Sequence, residues 1–184
     1  MDQEKFVSSF GKHTVPAELL RLVAFEATQG GKWFAESFEL KGIDRSGLST
    51  YSTDERFLSR LFPFAIADGT GSEYALWLAE ESQSLEEAPV VGFGSEGGAQ
   101  VVGCNIRDLL EILASDVEPM LDWDRVFYYV GDDHEASQGH DAYVEWLTDV
   151  LGRVPNRTAD EVVLAAQQQY GARFDTWAKP YMPR

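Results

Sequence analysis

The period of the hydrophobic positions changes twice along this chain, and the changes divide it into helical, extended and again helical stretches. Near the start, Gln3 to Phe10 predicts a short helix. Leu19, Leu20, Leu22, Val23 and Ala27 then recur at helical spacing. Pro16, preceded by Thr14 and Val15, suits the first turn of that second helix, because the N–H it lacks would be unpaired there anyway. Gly30-Gly31 stops it, since glycine readily takes the positive φ of a C-terminal cap.

The middle of the chain reads as strands. Trp33 to Leu40 has aromatics on both parities and little helical pattern, which predicts a strand, and polar, glycine-bearing Lys41 to Thr53 predicts a loop. Asp54 to Leu61 fits either a helical turn or an extended lead-in. Phe62 to Ala67 predicts a strand that Pro63 would place at a sheet edge or a strand start, because proline cannot donate to the ladder. Asp68-Gly69-Thr70-Gly71-Ser72 is a turn by composition. Tyr74 to Leu78 completes a hairpin, with Tyr74, Leu76 and Leu78 on one face and Trp77 on the other. A second hairpin is predicted from Pro89 to Phe93, the turn Gly94 to Gly98, and Gln100 to Cys104.

Helical signals then return. Asn105 is placed to cap a helix running through Ala114, with Leu109, Leu110, Ile112 and Leu113 as its apolar stripe. Trp123 to Val130 fits no single pattern. His140 to Leu151 carries Tyr143, Val144, Leu147 and Leu151 on one face, and Gly152 ends it. Thr158-Ala159-Asp160-Glu161 is a capping box that opens a last helix towards Trp177. Segregated runs of helices and hairpin-linked strands predict an α+β fold: a mixed, largely antiparallel sheet of about five or six strands flanked by N- and C-terminal helices.

Composition narrows the picture. A length of 184 residues suits one domain, 1–184, and its 44% hydrophobic content supplies a core. The opening residues lack the apolar run of a signal peptide, and no stretch approaches a membrane span, so a cytoplasmic setting is expected. Cys104 is the only cysteine, which excludes an intrachain disulfide and fits a reducing compartment. The formal charge is −16, which disfavours nucleic acid and anionic membranes as partners and favours encounter with a basic protein. Solubility alone is the competing account of that charge. Oligomeric state is not legible from these features.

From Pro16 to Ala114 the chain resembles the SUKH superfamily, in particular its SMI-KNR branch. The likeness rests on four features in order. They are the Pro-x-x-Leu helix ending in Gly30-Gly31, the aromatic strand running into Asp68-Gly69-Thr70-Gly71 with Glu73 to Leu78 after it, the Pro89-Val90-Val91 strand with its Gly-rich turn, and the helix Asn105 to Leu110. The resemblance implies a mixed sheet flanked by helices, with 16–114 as family core and 115–184 as a mostly helical extension, and no catalytic machinery or cofactor. Bacterial members are typically immunity proteins that neutralise a toxin domain, often a nuclease, and fungal relatives regulate cell-wall assembly. Where many members carry a His-Glu pair after the third strand, this chain has Ser95-Glu96-Gly97-Gly98.

Several residues invite chemical readings. Asp68, Thr70 and Glu73 offer two carboxylates and a hydroxyl within six residues, enough to suggest acid–base work or a hard cation, although Asp and Gly also serve a tight turn for local reasons. Gly131-Asp132-Asp133-His134-Glu135, with His140 nearby, gathers potential metal ligands, but adjacent residues converge on one ion only if the loop folds back, and no metal is expected. Ser95, His134 and Asp68 could be drawn as a hydrolase triad, yet Phe93 stands where a nucleophile elbow needs glycine. The four glycines from Gly92 to Gly98 lack the Lys and Ser/Thr of a phosphate loop. The expected function is therefore protein binding, not catalysis. The expected contacts are Asp68, Thr70, Glu73, Glu86, Glu87, Glu96, Asp132 and Asp133. Trp123 and Trp177 are candidate anchors. A regulatory or scaffolding module without a toxin, and a hydrolase or metal-dependent enzyme, are the alternatives.

Overall fold

The fold follows from a sheet whose strands are apolar on both parities. Such strands must be covered on both faces, so helices are needed above and below. The computed structural model, which describes residues 1–130 and 134–182, shows this arrangement. Five strands run β1 (Glu39–Leu40), β2 (Leu61–Ile66), β3 (Glu73–Trp77), β4 (Val90–Phe93) and β5 (Ala99–Gly103), in that spatial order. Every pairing is antiparallel, so the sheet is not mixed as expected. Hairpins alone link β2 to β3 and β4 to β5, and no parallel crossover is required.

One face of the sheet (Phe62, Phe64, Tyr74, Leu76, Val90, Val102) packs under helices α1 (Gln3–Ser9), α2 (Ala17–Thr28), α4 (Ile106–Leu113) and α5 (His140–Leu151). The other face (Leu61, Ala75, Trp77, Val91, Phe93, Val101) packs against Leu48, the short helix α3 (Glu55–Leu58) through Phe57, and the C-terminal helices. These are α6 (Ala159–Ala166), a π-helical turn at Gln167–Gly171, and α7 (Ala172–Ala178). Trp177 of α7 stacks on Phe57 and lies tilted against Trp77, which Phe174 of α7 meets edge-on. The segment after Ala114 thus supplies Tyr143, Leu147, Val162 and Val163 to one core and Ala166, Phe174 and Ala178 to the other.

The predicted caps form. Asn105 accepts from the backbone N–H groups of Arg107 and Asp108 at the start of α4, and Thr158 and Glu161 make a reciprocal capping box at α6. Helix α5 spans His140–Leu151 and ends at Gly152 in the left-handed conformation, as its pattern predicts.

Three expectations need correction. Trp33 to Phe38 is not a strand; only Glu39–Leu40 pairs. Phe34, Ala35 and Phe38 are buried, and Ser37 has φ 50°, so the aromatics turn into the core from an irregular segment. Pro63 lies in the second strand, not at the sheet's edge, but β1 reaches only Ala65 and Ile66, so the outward side of Pro63 needs no ladder partner. The unassigned stretch Trp123 to Val130 contains half of an additional hairpin, β6 (Pro119–Leu121) with β7 (Val126–Tyr128). Its inner residues Leu121, Val126 and Tyr128 pack on the first core, with Tyr128 and Tyr74 hydroxyls 3.0 Å apart.

Candidate functional site

The β6–β7 hairpin lies across the Gly-rich turn between β4 and β5, and that contact explains the glycines. A Cβ on Gly97 would collide with the Trp123 ring, and one on Gly98 with the Asp122 carbonyl; both residues also hold positive φ, at 109° and 83°. The turn is fixed from several sides. The Tyr51 hydroxyl donates to the Gly94 carbonyl and lies 3.1 Å from that of Gly98, and the Ser95 N–H donates to Ser72 Oγ at 3.1 Å. Burial beside the sheet, with the Glu73 carboxylate nearby, pushes the Tyr51 phenol up to about 12, so it stays a donor.

Trp123 is held against this turn by its backbone: Gln100 Nε2 donates to its carbonyl at 3.2 Å, and its own N–H reaches Asp122 Oδ1 at 2.7 Å. Its side chain nevertheless remains 54% exposed. Between the turn, Trp123, the Thr50–Tyr51 segment and α7 runs a groove of about 1060 Å³. Ser95, Glu96, Asp175, Lys179 and Met182 complete its walls, and Asp122 and Asp124 flank Trp123 as exposed residues. Met120, Tyr129 and Val130, each more than half exposed, extend the apolar surface along the hairpin. An aromatic ring fixed in position, acids around it and adjoining apolar surface are the ingredients of an interface centre.

The expected contact residues that lie among the described residues are spread over several places. Asp68 is buried, and its Oδ1 accepts from the Thr70 N–H (2.9 Å), the Thr70 hydroxyl (2.8 Å) and the Ser72 N–H (3.0 Å). It is thus spent on its turn. Thr70 is exposed, and its hydroxyl lies 2.7 Å from that of Ser95. Glu73 is ion-paired to Lys41 and largely buried, with one oxygen lacking a hydrogen-bond partner among the described residues. Glu86 accepts the Ala17 N–H at 3.0 Å at the start of α2, away from the groove, and burial together with neighbouring Glu18 raises its carboxyl. Glu87 is exposed beside it. Of the six that lie among the described residues, Glu96 alone lines the groove. Asp132 and Asp133 lie outside the described residues.

The triad drawn from Ser95, His134 and Asp68 does not assemble. Ser95 reaches Asp68 only through Thr70, while His134 faces Glu36 (3.7 Å) and Asp116 (3.8 Å). Asp116, which the sequence reading passed over, is buried at φ 51° and accepts from the Glu36 N–H, the Ser137 N–H and the Ser137 hydroxyl at 2.7–2.8 Å. His140 lies 3.9 Å away. Asp116 ties the Glu36 and Ser137 segments together. Among the described residues no group of three His, Cys, Asp or Glu is placed to hold a metal ion. Trp177, on α7, is partly buried and packs on Phe57 and Trp77 of the second core, so it is not the free anchor that Trp123 is. Tyr51, Asp175 and Lys179 were missed because sequence carries no signal that brings residues 51, 96 and 175 together.

Comparison with protein-family models, curated proteins and solved structures finds no match to this chain. Among the described residues no helix is long and apolar enough to cross a membrane.

Proposed function

We propose that this chain is an acidic protein-binding domain of the cytoplasm whose partner is a basic protein. In the version the SUKH resemblance favours, it is an immunity protein that neutralises a toxin domain, with nucleases as a leading toxin class. The observation that carries the reading is Trp123, half exposed yet immobilised on the Gly-rich turn, with Glu96, Asp122, Asp124 and Asp175 around it. A pre-positioned aromatic ring loses little side-chain entropy on binding, and surrounding carboxylates both steer and select a cationic partner. The formal charge of −16 supplies the long-range part of the same attraction.

The test is affinity capture from the native cell at low salt, with the wild-type chain and its Trp123→Ala variant as parallel baits and elution by a salt gradient. A basic polypeptide held by the wild type, released as salt rises and depleted from the variant supports the proposal. An acidic partner, or capture indifferent to both salt and Trp123, refutes it.

A further inference from the structure

A hydrogen-bond chain reaches the groove wall at Ser95, and its direction is fixed by its buried end. Asp68 has only 6% of its surface exposed, and its Oδ1 already accepts the Thr70 and Ser72 backbone N–H groups, so that oxygen serves as an acceptor. The Thr70 hydroxyl, 2.8 Å from Asp68 Oδ1, must therefore donate its one proton to Asp68. With that proton committed, Thr70 Oγ1 can only accept from Ser95 Oγ, 2.7 Å away. The Ser95 hydroxyl proton is thus committed to Thr70, which leaves the oxygen on the groove wall as an acceptor. A chain ending on a negative charge polarises each member and strengthens the terminal oxygen as an acceptor.

The other polar groups around that position point to the same ligand chemistry. The Glu96 and Asp175 carboxylates of the walls only accept, and the Tyr51 hydroxyl has its proton on the Gly94 carbonyl. Lys179 is the single cation among the described lining residues and opposes this trend, two carboxylates standing against it. The exposed Trp123 ring adds a surface for a cationic group or its aliphatic stem.

We propose that the Asp68–Thr70–Ser95 chain makes Ser95 an oriented acceptor, and that this groove takes the lysine or arginine side chain of a basic protein segment, with the cation between Ser95 and Glu96 and the stem against Trp123. This rests on the basic-partner reading above and assigns that reading a place and a contact. It also gives the exposed Thr70 hydroxyl a second role, since beside donating to Asp68 in the turn it accepts from Ser95.

The experiment is an NMR titration of the full chain with a capped arginine tripeptide, Gly-Arg-Gly, against the same peptide carrying citrulline, which keeps the shape and loses the charge. The arginine peptide should shift the Ser95, Glu96 and Gly97 amides and the Trp123 indole, and bind about tenfold more tightly than the citrulline peptide. Thr70→Val, which cuts the chain but leaves Ser95 in place, should weaken arginine binding by about three- to tenfold, and Ser95→Ala by at least as much. Both variants should keep the wild-type amide spectrum outside the two turns. The proposal is overturned if the peptide shifts another surface or none, if citrulline binds equally, or if Thr70→Val binds like wild type. Shifts at another acidic surface would overturn the groove while leaving the basic-partner reading standing. Loss of that reading is registered separately, by the capture experiment.

Discussion

Two acidic regions of this molecule use their carboxylates in opposite ways. On α4, Asp108 and Glu111 are buried in a knot with Arg153 and Arg157, which arrive from the loop between α5 and α6. Glu111 accepts from both guanidinium groups and from the Asn156 N–H at 3.2 Å. Around the groove, Glu96, Asp122 and Asp124 are exposed and Asp175 stands on the wall, and none of the four forms an ion pair among the described residues. The first set joins the α5–α6 loop to α4; the second is left available to another molecule. A net charge therefore does not locate a binding surface. A candidate surface needs charge that the fold has not already paired, together with a shaped site such as the groove.

The strongest way to break this comparison is to substitute the knot. Glu111→Ala leaves two arginines without their shared acceptor and should destabilise the fold by about 2–4 kcal/mol in urea unfolding, towards the lower end because both guanidinium groups can still reach water. An effect below about 0.5 kcal/mol would place Glu111 in the same category as the groove acids.

The pH dependence sharpens the contrast. Burial alone would raise the Glu111 carboxyl, but the Arg153 and Arg157 hydrogen bonds more than reverse this and hold it at about 2. Its folded value lies below its unfolded one, so the stabilisation is fully present above about pH 4.5 and is lost as pH falls towards 2. Stability of the wild type should drop through that window more steeply than that of Glu111→Gln, whose side chain does not titrate. Parallel pH curves would contradict the assignment.

Tyr51→Phe removes the hydroxyl that holds the Gly94 and Gly98 carbonyls and should cost about 1 kcal/mol, together with a change in the Trp123 indole resonance. The smallest stability effect is expected at the rim. Glu96→Gln should change unfolding free energy by less than about 0.5 kcal/mol while flattening the salt dependence of partner association.

The legible parts of the fold were those encoded locally. Asn105 and Thr158 announce their helices because a cap is a contact over two or three residues, and the two sheet hairpins are signalled by glycine-rich turns between apolar runs. The β6–β7 hairpin was not legible, since its strands have three residues each and the intervening Asp122 to Arg125 contains no glycine. Glu111 sits between Leu110 and Ile112 and gives no hint of burial, because its partners lie 42 and 46 residues further on. The site was legible only in pieces. Trp123 and Glu96 were each singled out, but their meeting depends on glycines at 97 and 98 whose purpose is set by a hairpin more than twenty residues away.

The most direct test of the central claim is site-specific photo-crosslinking with a benzoyl-phenylalanine at position 96 or at position 145. Glu145 lies on the exposed acidic stripe of α5 with Asp141 and Asp149, so the two positions share charge and exposure but not the groove. A covalent adduct with the captured basic partner from position 96, and none from position 145, is the result expected if the groove is the docking face. An adduct from position 145 alone would contradict it and move the interface to α5.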